Sequence, residues 1–132
     1  MENVEVFRRG IEAWNRRDLE SLTGLAAPDI EYVNSPDAVE PGTRHGSDEY
    51  GAVLRAQWDL LGDGQLEITS LQTSGDDVYA LMELTRTFGG GDTPLAQRIG
   101  TCMTIREGRI VRQAMMSVPQ LQQALEAAGL TE

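Results

Sequence analysis

A chain of 132 residues, 40% of them hydrophobic and 24% charged, is long enough for one domain with a real core and too apolar to be disordered. Its net charge of −10 argues against unaided binding to nucleic acid or anionic lipid, since both reward basic surface. The single cysteine, Cys102, rules out an intramolecular disulfide and a Cys₂His₂-type zinc site, and no apolar run approaches the roughly 20 residues that span a bilayer.

The start, MENVEVFRRG, is acidic and amphipathic, unlike a signal peptide, so a cytoplasmic location is expected. Val4, Phe7, Ile11 and Trp14 recur at helical spacing and predict a helix over about residues 3 to 16. The run NRRD breaks it, and Asp18 can cap a short second helix carrying Leu19, Leu22 and Leu25. Pro28 and Asp29 end that helix and open a strand, IEYVNS. Strand alternation puts Ile30, Tyr32 and Asn34 on one face and Glu31 on the other. With Glu31 in solvent, a phenol and an amide turn inward.

PDAVEPGTRHG is punctuated as a loop by its prolines and glycines, and Ser47 is the expected N-cap of a third helix. Tyr50, Val53, Leu54, Trp58 and Leu61 form that helix's apolar face, and GDG stops it. Strands follow at QLEITSLQT, DVYALMELTRTF and PLAQRIGTCMTI, with FGGGDTP as a flexible connection between the last two. REGR is a hairpin turn into IVRQAMMSV, and Pro119 begins a last helix that Gly129 stops. Helices grouped around a run of strands predict an α+β fold.

This order, with EAWNRRDLESLTGLAAPDIEY near the start and GTCMTIREGRIVRQAMM near the end, resembles the nuclear transport factor 2-like superfamily, and its SnoaL-like branch in particular. The resemblance covers nearly the whole chain and implies a single domain over residues 1–132. It implies a cone-shaped, cystatin-like fold in which a curved antiparallel sheet wraps around helices. A pocket would open between the concave sheet face and the first and third helices, and a homodimer would form through the convex face. Tyr32 and Asn34 would then line a pocket rather than fill a core.

The register implied by the resemblance, extended by alternation, turns Tyr79, Leu81, Glu83 and Thr85 inward, then Ile99, Thr101 and Met103, then Gln113 and Met115. Trp14, Val53 and Trp58 would add apolar wall. Glu83, between apolar neighbours in ALMEL, would be either a desolvated carboxyl suited to general acid work or a partly exposed carboxylate, or one paired with an Arg on an adjacent strand. The outward parity, Val78, Ala80, Met82 and Leu84, would be covered by the dimer. His45, just before the third helix, reads as a solvated loop histidine or, alternatively, as a proton shuttle guarding the pocket mouth.

Relatives of this kind include ketosteroid isomerases, polyketide cyclases, epoxide hydrolases, dehydratases and non-catalytic partners. The isomerase Tyr, Asp base and second Asp fall on Gly10, Asn34 and near Thr101, so that chemistry is replaced. The limonene-type epoxide hydrolases carry a Tyr-x-Asn pair like Tyr32 and Asn34. Their central Arg-x-Asp falls on Leu81 and Glu83 in one register and on Met82 and Leu84 in another, and their last-strand Asp falls on Met115. The resemblance thus implies a cofactor-free pocket for a small apolar, oxygen-bearing molecule. Its function would be isomerase, cyclase or dehydratase chemistry on a polyketide- or terpenoid-like substrate, with Glu83 moving the proton. Alternatives are a non-catalytic binding or dimerisation module and an epoxide hydrolase-like activity.

Overall fold

The computed structural model of the chain describes residues 2–35, 42–87 and 94–130, so the connections expected over 36–41 and 88–93 lie outside the described residues. The elements run α1 (Asn3–Asn15), α2 (Leu19–Leu25), β1 (Ala26–Asn34), β2 (Gly42–His45), α3 (Gly46–Leu61), β3 (Gln65–Ser74), β4 (Asp77–Thr87), β5 (Pro94–Arg106), β6 (Arg109–Met116) and α4 (Val118–Ala127). The expected order holds, with one strand added. GTRH, read as loop, pairs antiparallel with β1, His45 opposite Glu31. The third helix consequently starts at Gly46, with His45 rather than Ser47 at its N-cap position.

The NRRD run closes one end of the core by its chemistry. Asn15 uses its side-chain amide as a strand residue would: Nδ2 donates to the Leu66 carbonyl and Oδ1 accepts from the Leu66 N–H, at 2.9 and 2.8 Å. Arg17 adopts a left-handed backbone, φ 59°, which aims its guanidinium at the carbonyls of Trp14, Gly62 and Gly64. The same group lies 4.7 Å over the Trp14 ring, a cation–π contact. Asp18 caps α2 by accepting from the Ser21 N–H.

Six strands form one curved sheet in the order β2-β1-β6-β5-β4-β3. Neighbours are antiparallel except β1 and β6, which run parallel, so the sheet is mixed rather than wholly antiparallel. The β5–β6 turn, Glu107-Gly108, has φ 53° and 76°, the pattern of a two-residue type I′ hairpin. On the concave face Ile30, Tyr32, Val78, Met82, Met103 and Ile110 pack against Phe7, Trp14, Tyr50 and Leu54 of the helices. Full burial of each such apolar side chain contributes on the order of 2 kcal/mol.

The register of β4 differs from the expected one. Val78, Ala80, Met82 and Leu84 enter the concave core, and Leu81 and Glu83 face the other way. The reason is α4. Its Leu121 and Leu125 lie on the outer face against Leu81, with Tyr79 and Met116 beside them. Both faces of β4 are therefore apolar along much of their length, and alternation alone does not tell inside from outside. The apolar row that a dimer would have covered lies in the core. Among the described residues Leu60 is the large hydrophobic that stands exposed, at 75%.

Ser117 and Gln120 form a reciprocal capping box at the start of α4. The helix crosses the sheet at Gly100, where an added Cβ would stand 2.8 Å from Leu121 Cβ and 3.0 Å from Met116 Cγ. Gly100→Ala should therefore lower stability by about 1–3 kcal/mol, as overpacking does. Urea unfolding checks this, and a neutral effect would mean that α4 does not sit there.

Candidate functional site

A cavity of about 210 Å³ lies between the concave face and helices α1 and α3. α1 supplies Ile11 and Trp14, α3 supplies Leu54 and Leu61, and the strands supply Met82, Leu84, Met103 and Met115. Gly10 also lines it, leaving room where a larger residue would reach in. Its polar groups are Gln57, Gln97, Gln113 and the Tyr50 phenol. No carboxylate, histidine, lysine or arginine lies on this wall among the described residues.

The polar groups are held by one another. The Trp14 indole N–H donates to Gln57 Oε1 at 3.0 Å, and Gln57 Nε2 donates to the Tyr32 hydroxyl at 2.7 Å. The Trp58 indole donates to the Trp14 carbonyl, with the two indole rings 6.3 Å apart. The Tyr50 hydroxyl donates to Gln113 Oε1 at 2.9 Å. Among the described residues Gln113 Nε2 then meets only the Met115 sulfur, at 3.6 Å, a weak acceptor. Among the described residues, that amide and the Tyr32 O–H, whose oxygen is accepting from Gln57, are donors with capacity left. They suit a ligand oxygen.

A second, more open chamber of about 450 Å³ adjoins the first and shares Gln57, Gln97, Ile99 and Met115 with it. Tyr32, Asn34 and Ser35 line it from β1, and Ser117 and Pro119 from the start of α4.

Of the residues expected in a pocket, the structure brings Trp14, Met103, Gln113 and Met115 to the inner cavity and Tyr32 and Asn34 to the outer chamber. Trp58 and Val53 pack behind the wall without lining either space. Thr101 faces inward but is fully buried, its hydroxyl donating to the Ala114 carbonyl. Leu81 lies under α4, and Glu83 stands on the outer face opposite Arg98 of β5 and Glu67 of β3. Glu83 is thus not a group of the cavity, a correction that follows from the β4 register. Of the two epoxide hydrolase registers, the one that falls on Met82 and Leu84 matches the cavity, and both positions are apolar. His45 is exposed and lines neither space. Among the described residues no three of His, Cys, Asp and Glu converge to hold a metal ion.

Gln57 was not foreseen, although a signal existed. It falls on the Tyr50, Leu54, Leu61 stripe of α3, a polar residue at apolar spacing.

Burial pushes the Tyr32 phenol up to about 12, opposed by the Gln57 hydrogen bond and the nearby Arg44 charge. Tyr50, almost wholly enclosed, is pushed further in the same direction by burial and then by Tyr32. Below about pH 10 both phenols are neutral in the folded and unfolded chains and add no pH dependence. Above it the unfolded chain releases protons that the fold keeps. Stability therefore falls as pH rises, by roughly 1.4 kcal/mol per unit for each phenol. Burial also pushes the Cys102 thiol up, from 9.0 to about 11, so the urea midpoint should hold steady up to about pH 9 and then drop toward the Tyr32 value of about 12. Tyr32→Phe should flatten the drop, and a constant midpoint through this window would contradict burial of the phenols.

The chain belongs to the SnoaL-like domain family, whose model matches residues 7–113. No curated protein sequence matches it significantly. Among solved structures it is similar to an NTF2-like protein of unknown function from Burkholderia pseudomallei, with 24% identity, 96% of this chain and 97% of that one covered, and a TM-score of 0.76. It is similar to TerC co-crystallised with polyporic acid, with 22% identity, 93% and 96% coverage and a TM-score of 0.75. A loop-truncation variant of IdmH gives 23% identity, 93% and 98% coverage and 0.77. At these identities the likeness establishes the fold, an NTF2-like, cystatin-like architecture. No helix among the described residues is long and apolar enough to cross a membrane.

Proposed function

We propose that the chain binds a small, largely apolar organic molecule carrying a hydrogen-bond-accepting oxygen, such as a polyketide- or terpenoid-like ketone, and holds it without proton transfer from the cavity wall. The observation that carries this reading is the composition of the wall: aliphatic, methionine and indole surface with glutamine amides and, among the described residues, no charged group. Such a wall suits apolar area and oriented hydrogen bonds. It offers no acid or base matched to neutral pH, since Tyr32 and Tyr50 are both pushed upward. An isomerase, cyclase or dehydratase of the Glu83 kind loses its proton carrier, and the non-catalytic alternative gains support. TerC, co-crystallised with polyporic acid, offers a precedent for an organic ligand with this architecture.

Acetophenone and ethylbenzene, alike in shape, test the reading through quenching of Trp14 and Trp58. Acetophenone should bind saturably and more tightly. Gln113→Leu should erase a preference of roughly three- to tenfold, the worth of one hydrogen bond. Absence of saturable binding of either compound would overturn the reading.

A further inference from the structure

The outer chamber differs from the inner cavity in charge and in origin. β6 ends at Met116, opposite Gly100, while β5 continues to Pro94. Gln97, Arg98 and Ile99, three consecutive strand residues, all line the chamber. Alternation puts consecutive residues on opposite faces, so a space touching all three lies off the edge of β5. The chamber is a window in the sheet wall, opened where β6 leaves to become α4. A strand edge without a sheet neighbour offers backbone N–H groups.

Arg98 is the one charged residue of this window among the described residues, and no carboxylate there lies within 4 Å of it. Glu83 is its cross-strand neighbour in register but forms no such ion pair. The N-terminus of α4 adds its partial positive charge at the rim. On a chain of net charge −10, the described residues make a locally positive mouth on a cavity whose described wall carries no charge.

We propose that the window seats an anionic oxygen group, and that the ligand is an amphipathic organic acid whose apolar body fills the inner cavity while its carboxylate lies against Arg98. This rests on the binding reading above and narrows its ligand class. Arg98 would set specificity, and the field of the mouth would steer an anion past an acidic surface.

Benzoylpropionate and its methyl ester share an apolar body and a ketone and differ in the charged end. With the wild-type chain at low salt, the acid should bind about fivefold more tightly than the ester, the upper range for an exposed ion pair. Arg98→Gln should bring the ratio toward one, Arg98→Lys should keep most of it, and added salt should erode it. Equal binding of acid and ester to the wild type, or a ratio that survives in Arg98→Gln, would overturn the proposal and leave the binding reading standing. Binding of neither compound would overturn both.

Discussion

Met82→Asp should cost the fold about 3–5 kcal/mol, whereas Glu83→Gln, one residue along, should change stability by less than about 0.5 kcal/mol. Met82 is 1% exposed and lines the uncharged cavity between Ile99 and Leu84. A carboxylate there has no cation to meet on the cavity wall among the described residues, so its desolvation is not offset. Burial would raise its proton affinity above the ordinary value of about 3.9. The charge part of the penalty is therefore absent in acid and grows as pH rises above that value, while the cost of the lost methionine packing remains at every pH. Glu83 is half-buried on the outer face, where Gln keeps its shape and polarity. Urea unfolding of both variants at neutral and acid pH decides the register of β4. A tolerated Met82→Asp beside a damaging Glu83→Gln would restore Glu83 to the pocket.

Trp14→Ala should remove about 3–5 kcal/mol, a large share of a stability that for a domain of this size is roughly 5–15. Trp14 is 6% exposed and connects four features. Its ring stacks at an angle against Trp58, carries the Arg17 guanidinium on one side and lines the cavity. Its N–H satisfies Gln57 Oε1, so truncation also leaves that amide without its donor. Trp14→Phe keeps most of the volume and loses the N–H, and should cost about 1–3 kcal/mol. If Trp14→Ala cost no more than Trp14→Phe, the indole would not be packed as described.

Much of this was legible in the sequence because it is local. Helical spacing found α1 and α3, Asp18 found the start of α2, and REGR found the last hairpin. The inward turn of Ile30, Tyr32 and Asn34 was readable because Glu31, the intervening residue, is charged. In the structure it pairs with Arg112 at 3.0 Å across β1 and β6. What was missed depends on distant chain. β2 is a strand only because β1 pairs with it, against a sequence rich in turn residues. The parallel β1–β6 pairing joins segments some eighty residues apart, with Glu31 opposite Arg112, and no short pattern encodes it. The β4 register was hidden by α4, which makes Tyr79 and Leu81 as necessary outside as Met82 and Leu84 are inside. The same slip reaches the candidate site: β1, β5 and β6 turn Tyr32, Asn34, Met103, Gln113 and Met115 toward the two spaces while Thr101 stays buried, and β4 turns in the opposite set to the one expected.

Under the binding reading, the cavity walled by Met82, Met103 and Met115 takes up an apolar, oxygen-bearing molecule. The chain has five methionines, and Met116 borders only the outer chamber. Isotope-labelled methionine methyl groups followed by NMR during an acetophenone titration test the claim most directly. Saturable shifts are expected at Met82, Met103 and Met115 together, with Met82→Leu removing one assigned signal from that group. Shifts confined to Met116, or no saturable shift at any methionine, would contradict it.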